Sequence, residues 1–305
     1  MWFKNLQLFR LTKPFTLTPE ALHEQLIGRT SRNCGSLEPS TYGWAPPLGR
    51  LSEQLTHAAN SYIMICARKE EKVLPAAVIK EIMDDKVTQI EQQQDRTIRR
   101  KEKEEIKQEV LLDLLPKAFS KANHTYAYID PKENWIVVDA SSPAKAEELV
   151  SLLRETLGSL PAVPAAVLSA PASIMTKWAD GQATAPNFIL EDQCELRDPN
   201  HEGSVVRCTK QDLLTDEIQT HLKAGKQATK LAVEWNGHIS CILSDDLSIK
   251  RLRFLDIIQE AAADEANDEA SRFDADFALM TLELSHFIPA VLEAFGGEDK
   301  CSSII

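Results

Sequence analysis

The chain has 305 residues, of which 43% are hydrophobic and 26% are charged, and its formal net charge is −12. This composition is typical of a globular protein with two or three domains, and it excludes an intrinsically disordered chain. The negative charge at first opposes a nucleic-acid partner, because proteins that bind polyanions are usually basic.

The sequence favours a cytoplasmic protein without membrane contact. Lys4 and Arg10 interrupt the apolar N-terminal stretch, which therefore lacks the apolar core of a signal peptide. The longest uncharged run, residues 156–176, contains three prolines and is interpreted as a linker. The six cysteines form no CxxC pair, and a chain of this length needs no disulfides, so we expect reduced thiols.

The acidic charge is concentrated towards the C-terminus. Residues 255–305 carry 12 acidic and 2 basic side chains, a net charge of −10, whereas the first 254 residues carry only −2. We interpret residues 255–296 as two acidic helices. Since the total charge hides this segregation, a cationic surface elsewhere stays compatible with the sequence.

The N-terminal part predicts an α+β unit. Residues 2–11 and 61–68 have the apolar composition of strands. Between them, Thr18 is a suitable N-cap because a proline follows it in the first turn, and Gly28 suits the end of that helix.

A long segment without helix breakers follows. After Pro75, residues 76–115 contain neither glycine nor proline and are rich in Glu, Lys, Gln, Ile and Leu. This composition predicts one or two long helices. Because strand-like segments flank them, we expect these helices to project from the α+β unit as an inserted arm.

The α+β pattern resumes after the arm. Residues 126–130 and 135–140 predict a hairpin. Ser142 then precedes a proline, which predicts a capped helix that ends near Gly158.

A second α+β unit follows the proline-containing run. Residues 205–208 predict the end of a strand, and Thr209 begins a capping-box pattern with Asp212, which predicts a helix start there. The dipeptide Asn236-Gly237 is the strongest short signal for a hairpin turn.

The sequence contains no recognised catalytic motif. It lacks phosphate-binding loops, dinucleotide fingerprints, nucleophile elbows, zinc-protease motifs and paired CxxC motifs. The seven histidines lack metal-ligand spacing. Asp84-Asp85 and Asp245-Asp246 are carboxylate pairs of the kind that hold cations in nucleases. However, adjacent side chains on a helix point about 100° apart, so Asp84 and Asp85 do not converge on one ion. Asp245-Asp246 follows a predicted strand and suits a turn. We expect no catalytic residue, no metal site and no cofactor, and therefore no enzyme.

The inserted segment carries a group of basic residues. On a helix of 3.6 residues per turn they fall on one side, within about 60° of the first of them, and three glutamates fall on the far side. These candidate DNA-binding residues are Arg96, Arg99, Arg100, Lys103 and Lys107.

Two interpretations of this basic stripe stay open. Its like-charge i,i+4 pairs each disfavour the isolated helix by roughly 0.2–0.5 kcal/mol, and a polyanion laid along it would turn the repulsion into attraction. Phosphate oxygens accept hydrogen bonds from Arg and Lys whatever the bases are. The alternative is a solvated helix with internal salt bridges, for which Arg100–Glu104 and Lys101–Glu105 have suitable spacing.

Two further stretches supply candidates. Lys210 and Gln211 lie at a predicted helix N-terminus, where free N–H groups and the helix dipole favour a phosphate, although ordinary surface has the same pattern. Phe119 lies in a predicted turn between Lys117 and Lys121. Its ring could pack in the core, anchor a partner or contact bases, and we include Lys117 among the DNA-binding candidates.

Six strings of the sequence carry a family resemblance: WFKNLQLFRLT (2–12), YGWAPPLGRL (42–51), KVLPAAVIKEIMDDKV (72–87), LLPKAFSKA (114–122), VVRCTKQDL (205–213) and FDADFALMTLELSHFIPAVLEAFGG (273–297). In combination they resemble the RdgC family of recombination-associated proteins, over nearly the whole chain to about Asp299. The last five residues, CSSII, look unmatched.

The resemblance implies an α+β fold whose elongated, horseshoe-like subunit has two α/β units and an inserted long-helix arm. Two subunits would form a ring-shaped homodimer that encircles duplex DNA. The resemblance further implies nucleoid association, binding of single- and double-stranded DNA without sequence preference, and restraint of the RecA recombinase by occupancy of its DNA. In this comparison Phe119 fits a dimer contact at the end of the arm, and Lys210 and Gln211 fit a DNA-facing surface or a second contact.

We accordingly divide the chain into a central α+β domain (1–74 and 120–165), a helical arm (75–119) and a C-terminal α+β domain with an acidic tail (166–305). Two other functions stay open. The arm could dock a partner helix in a protein-interaction module of the recombination machinery. Less expected is a Mg²⁺-dependent nuclease that uses the acidic pairs.

Overall fold

A computed structural model describes residues 1–201, 203–255 and 268–300. Its strands, within these residues and in chain order, are β1 (Leu6–Leu11), β2 (Ser40–Ala45), β3 (Thr56–Ala59), β4 (Tyr62–Lys72), β5 (Ser120–Asp130), β6 (Trp135–Asp139), β7 (Ala162–Pro164), β8 (Phe188–Arg197), β9 (Val205–Thr209), β10 (Gln227–Trp235), β11 (Ile239–Ser244) and β12 (Ile249–Phe254). Its α-helices in the same residues are α1 (Pro19–Ile27), α2 (Ala76–Gln94), α3 (Arg100–Leu114), α4 (Pro143–Leu157), α5 (Pro171–Ala179), α6 (Asp216–Lys223) and α7 (Glu269–Ala294). The α+β class that the sequence predicts is confirmed.

The chain forms two compact units. Unit 1 comprises Met1–Gln25, Pro46–Ile65 and Thr125–Ile305, and unit 2 comprises Leu26–Ala45 and Cys66–His124. Strands β4 and β5 each contribute residues to both units.

Unit 1 is built on an antiparallel sheet. Its strands are hydrogen-bonded in the order β5–β6–β1–β12–β11–β10–β8–β9, and β9 is the edge strand. Strand β7 adds to β1 by pairing Ala162 with Leu11. The run 156–176, predicted to be a linker, therefore contains a strand and the start of α5, because its apolar residues pair with and pack on the sheet.

One face of this sheet packs against helices. Helix α7 brings Phe277, Met280, Leu284 and Phe287 into the core, where Trp178 of α5 also lies. By length and composition α7 could cross a bilayer, but its burial against the sheet accounts for its apolar character. It is the second of the two predicted acidic helices. The first falls on residues 256–267, which lie outside the described residues, as does CSSII.

The predicted helix caps of the first half are confirmed. The Thr18 hydroxyl accepts the N–H of Ala21 at 3.2 Å, and α1 follows directly. The Ser142 hydroxyl likewise accepts the N–H of Lys145 at 3.4 Å. At the other end of α4, Gly158 has a φ of 74°, the left-handed conformation that ends many helices.

The predicted hairpin of the second half is confirmed as well. Asn236 and Gly237 have φ angles of 54° and 69° and connect β10 to β11, which pair from Trp235 and Ile239 onwards. Both central residues thus have the positive φ of the turn type that matches the twist of antiparallel strands.

Unit 2 combines a strand pair with a helical hairpin. Strand β2 pairs with residues 66–71 of β4. The predicted arm consists of two helices, α2 and α3, which bury a small apolar core of their own, made of Val87, Ile98, Ile106 and Val110. Asp95 separates the helices, because it takes a left-handed conformation with a φ of 45°.

Candidate nucleic-acid interface

The basic residues of the arm do not lie on one continuous helix, so the predicted five-residue stripe is wrong. Arg96 lies in the turn that follows Asp95, and Arg99 is the N-cap of α3, which begins at Arg100. The chain breaks there because Ile98 turns into the core of the arm, where its N–H donates to the Glu91 carboxylate at 2.8 Å. Helical angles therefore apply only from Arg100 onwards.

The residues that remain on α3 do share a face. Arg100, Lys103 and Lys107 fall within an arc of about 60° on a helix of 3.6 residues per turn. The first two are exposed, whereas Lys107 is half-buried. Together with Arg99 at the helix start, these residues are called here the α3 cation group: Arg99, Arg100, Lys103 and Lys107.

Ion pairing differs among the five predicted cations. Arg96 holds the Glu102 carboxylate with both terminal nitrogens, at 2.8 and 2.5 Å, and this contact lowers the pKa of Glu102. Lys107 lies 3.7 Å from Glu104. In the part of the chain that the structure describes, no acidic group pairs with Arg99, Arg100 or Lys103. These three side chains are therefore the ones free to meet a phosphate.

The predicted helix start at Lys210 and Gln211 is wrong. Lys210 has a φ of 57° in a turn after β9, and α6 begins at Asp216 with Thr215 as its N-cap. The Gln211 N–H donates to the Asp192 carbonyl at 3.2 Å, so it extends the β8–β9 pairing. Both residues belong to unit 1, and neither lies at a helix N-terminus.

Phe119 is not a core residue. Its side chain is 86% exposed, while its carbonyl accepts the Val73 N–H at 2.7 Å. Lys117 and Lys121 beside it are also exposed. Of the three interpretations, packing in the core of this chain is excluded, and the two that involve a partner or bases stay open.

Unit 1 carries a second set of cations that the sequence analysis missed. Strands β8, β10, β11 and β12 turn alternate residues to the helix-packed core, so the residues between them face the other side of the sheet. The long basic side chains on that side are called here the sheet cation group: Lys4, Arg197, Arg207, Lys230, Arg251 and Arg253.

Half of the sheet cation group is organised around one buried carboxylate. Glu195 is 6% exposed and accepts hydrogen bonds from Arg197, Arg207 and Lys230, with nitrogen–oxygen distances of 2.7–3.0 Å. Burial alone would raise the pKa of this carboxyl group, but the bonds from the three cations lower it to about 2. One negative charge thus holds three positive ones, and the local surface keeps an excess of positive charge.

The other half borders a groove of about 490 Å³. Its lining includes the buried residues Ala232, Ser240 and Ile242. The exposed basic side chains of Lys4, Arg251 and Arg253 also line it. Glu191 also lines it. The groove and the Glu195 cluster share this side of β8.

The arginines of the groove are held by neutral groups. Arg251 donates to the Gln193 side-chain carbonyl at 3.1 Å, and Arg253 donates to the Ser240 hydroxyl at 3.3 Å. Among the described residues neither forms an ion pair. Because each guanidinium has five donors, most of their donor capacity stays free for phosphate oxygens.

The sequence signal for these residues is a pattern in β12 that alternates only in part. In IKRLRF, the buried positions are Ile249, Leu252 and Phe254, and the basic residues lie between them. The regular alternation is interrupted at Arg251, whose φ of 50° accompanies a register shift between β11 and β12. This β-bulge disguises the period of two on which strand recognition depends.

Metal-binding side chains do not cluster in the described residues: no group of three or more His, Cys, Asp or Glu is placed to hold an ion. The two carboxylate pairs lie in different units, with Asp84-Asp85 in α2 and Asp245-Asp246 after β11.

Known proteins are similar to this chain over nearly its whole length. The chain matches the family described as "Putative exonuclease, RdgC" over residues 1–298. It is 49% identical over 301 residues to a recombination-associated protein RdgC of Aeromonas hydrophila, covering 98% of this chain and 99% of that protein. A protein of the same name from Tolumonas auensis is 48% identical over 299 residues, with the same coverage. One from Pseudomonas fluorescens is 42% identical over 306 residues, covering all of both chains.

Proposed function

The chain belongs to the RdgC family of recombination-associated proteins, and from this premise we propose that it binds DNA without reading base sequence and thereby modulates homologous recombination. The observation that carries the proposal is the presence of two exposed cation groups on a protein whose net charge is −12. Such groups satisfy phosphate oxygens, and this contact supplies affinity without sequence information.

The character of both groups supports backbone contact. Lysine and arginine side chains line a helix face in one case and an open sheet face in the other, and three cations of the α3 group lack acidic partners among the described residues. The sheet groove brings three exposed cations, Lys4, Arg251 and Arg253, to one surface, where they can contact a sugar–phosphate strand. We propose both single- and double-stranded DNA as ligands.

The proposal includes a ring-shaped homodimer that encircles duplex DNA and restrains RecA by occupying its substrate. An exposed phenylalanine supports an interface at Phe119, because burying a large ring against a second copy releases apolar surface from water. A cytoplasmic, nucleoid-associated location would follow from this activity. Catalysis is not part of the proposal.

Charge reversal on α3 tests the DNA contact. We expect Arg100→Glu/Lys103→Glu to lower duplex affinity on the order of 10-fold at moderate salt, and to reduce the slope of log affinity against log salt by about 1.8, or 0.9 for each lost phosphate contact. The matched control is Lys101→Glu, whose exposed side chain lies on a different face of the same helix. Equal losses in variant and control would contradict a directed contact.

Three outcomes separate the proposal from its alternatives. Salt-resistant retention of closed circular DNA, but not of short linear DNA, supports encirclement, whereas equal retention opposes it. Multiple turnover of labelled duplex with Mg²⁺ would instead establish a nuclease, as the family description suggests. If Arg100→Glu/Lys103→Glu leaves DNA affinity unchanged but abolishes capture of a recombination protein, the arm serves protein interaction.

A further inference from the structure

Two cysteines face each other across the edge of the unit 1 sheet. Cys194 of β8 and Cys208 of β9 are direct cross-strand partners in the antiparallel register. Cys194 is buried and Cys208 is half-buried, and β9 is the edge strand. The two thiols therefore lie opposite each other at the edge of the sheet.

The two side chains are neighbours on one face of the sheet, because directly opposite residues of an antiparallel pair have Cβ atoms about 4.5–5.5 Å apart. Burial raises the pKa of the Cys194 thiol to about 12, and the neighbouring Cys208 adds to this effect. Cys194 therefore stays protonated at neutral pH, and the less buried Cys208 is the thiol that a reagent meets first.

The register sets the spacing of the pair. The Asp198 N–H donates to the Ser204 carbonyl at 3.2 Å, which makes these two residues a hydrogen-bonded pair of the β8–β9 ladder. Because hydrogen-bonded pairs alternate, Cys194 and Cys208 form one as well, with an expected Cα separation of about 5.5 Å. Disulfides span Cα separations of about 4.4–6.8 Å, so a bond is sterically accessible.

The same register makes such a bond reducible. Side chains at hydrogen-bonded positions lie farther apart than at the alternate positions, about 5.5 Å between Cβ atoms, whereas a relaxed disulfide needs about 3.5–4.5 Å. Bond formation therefore requires the strands to adjust, and strained disulfides are the labile ones.

The other described cysteines lack this arrangement. Cys66 pairs with Ala45 across its strands, and Cys241 pairs with Val233. Cys34 is a half-buried residue outside the strands, and its thiol donates to the Glu70 carbonyl at 3.2 Å.

We propose that Cys194 and Cys208 are a redox modification site, which a low-molecular-weight disulfide converts to a reversible cross-strand disulfide. The Cys208 thiolate attacks one sulfur of glutathione disulfide, the reagent's S–S bond breaks, and one glutathione leaves as a thiolate. That thiolate takes the proton of Cys194, whose sulfur then attacks the Cys208 sulfur and displaces the second glutathione. The second glutathione leaves as a thiolate and takes up a proton from water, which replaces the proton that Cys208 released when it ionised. The balance is one protein disulfide and two glutathione thiols for each reagent molecule.

The bond would tie the end of β9 to β8. Lys210 and Gln211 follow Cys208 after one residue, Thr209, so the covalent link constrains the turn that contains them. The site itself does not depend on DNA binding, and it can be tested without DNA.

Trypsin provides a sharp assay because it cleaves between the two cysteines, after Arg197 and Arg207. The folded full-length chain is exposed to glutathione disulfide, blocked with iodoacetamide and digested. We expect residues 178–197 to be joined to residues 208–210 in one cross-linked species, which disappears when excess reduced glutathione is added before blocking.

Single substitutions separate the steps. Cys194→Ser should stop at a glutathione adduct on Cys208, and Cys208→Ser should leave residue 194 unmodified. Cys34→Ser is the matched control and should behave as the wild type. A wild-type protein that stops at the Cys208 adduct, or that joins either cysteine to a different one, would overturn the proposal.

Discussion

The two cation groups differ in how they are held. Arg99, Arg100 and Lys103 project from one helix without acidic partners among the described residues, whereas the sheet cation group is organised by a buried carboxylate and by side-chain amide and hydroxyl groups. Long side chains that are already restrained lose less conformational entropy when they bind. If both groups bind DNA as proposed, the comparison predicts that the pre-organised sheet group contributes more to affinity than the number and position of its cations alone would give.

Net charge alone would favour unit 2, and not unit 1, as the unit that meets a polyanion. Unit 2 has 15 basic and 13 acidic residues, a net charge of +2, which leaves −14 for unit 1. The unit with the larger negative charge nevertheless carries the better-ordered cations. A polyanion responds to the charges near its contact surface, because more distant ones are screened within about 10 Å at moderate salt.

The largest effect is expected in the sheet groove. Arg251→Glu/Arg253→Glu should lower duplex affinity on the order of 100-fold, since two phosphate contacts are lost and two repulsions are added at a pre-ordered surface. Fluorescence anisotropy across a salt series measures it. Arg272→Glu on α7 controls for net charge in the same unit. If the groove variant loses less affinity than Arg100→Glu/Lys103→Glu, pre-organisation is not the deciding difference.

A smaller effect, on self-association, is expected at Phe119. Because the ring is 86% exposed in the isolated chain, Phe119→Ser should leave the thermal midpoint of unfolding unchanged. If the ring packs against a second copy, the dimer dissociation constant should rise by roughly 30-fold, equivalent to about 2 kcal/mol for an aromatic hot spot. Sedimentation velocity over a concentration series measures this. Leu112→Ser, also at an exposed apolar residue of unit 2, is the control, and an unchanged dimer in Phe119→Ser opposes the interface.

Glu195→Gln tests what organises the sheet cation group. Loss of the charged hydrogen bonds should lower the free energy of unfolding by about 1–2 kcal/mol at pH 7. The pKa of Glu195 is lowered to about 2, against about 4.3 in an unfolded chain. Its contribution to stability is therefore complete above about pH 5 and is lost as the pH falls towards 2.

Urea unfolding at several pH values measures the stability contribution of Glu195. The difference between wild type and Glu195→Gln should shrink steadily below about pH 4. A difference that persists at pH 2 would mean that packing, rather than charge, explains the loss.

The smallest effect is expected at Arg96. Its guanidinium already donates to both carboxylate oxygens of Glu102, so its positive charge is neutralised locally. Arg96→Gln should therefore change DNA affinity by less than about twofold, in contrast to Arg100→Gln. A loss as large as that of Arg100→Gln would return Arg96 to the contact surface.

Local chemistry explains which parts of the fold the sequence predicts. Thr18, Ser142 and the Asn236-Gly237 turn act within a few residues of themselves, so their signals are legible in one sequence. The helix break at Asp95 has no glycine or proline to mark it. Aspartate takes its place, since it is one of the few non-glycine residues that enter the left-handed region readily. The break depends on the burial of Ile98, which is a tertiary effect.

The candidate site is harder to predict for the same reason. The cations of the arm are adjacent in sequence and are therefore recognisable, although they do not lie on one helix. Arg197, Arg207 and Lys230 belong to three strands and meet at Glu195 only through the sheet register. Likewise, Cys194 and Cys208 are separated by a strand connection, and only their pairing in the sheet brings them together.

Helix α7 and the sheet cation group lie on opposite sides of the same sheet, and this separation has an electrical consequence. The helix carries five acidic residues and one basic residue, so its net charge is opposite in sign to that of the cation group on the other side of the sheet. In the field of a polyanion such a body experiences a torque before it makes contact. If the protein binds DNA as proposed, DNA that arrives on the helix side is repelled, and collisions become productive from the side of the sheet cation group.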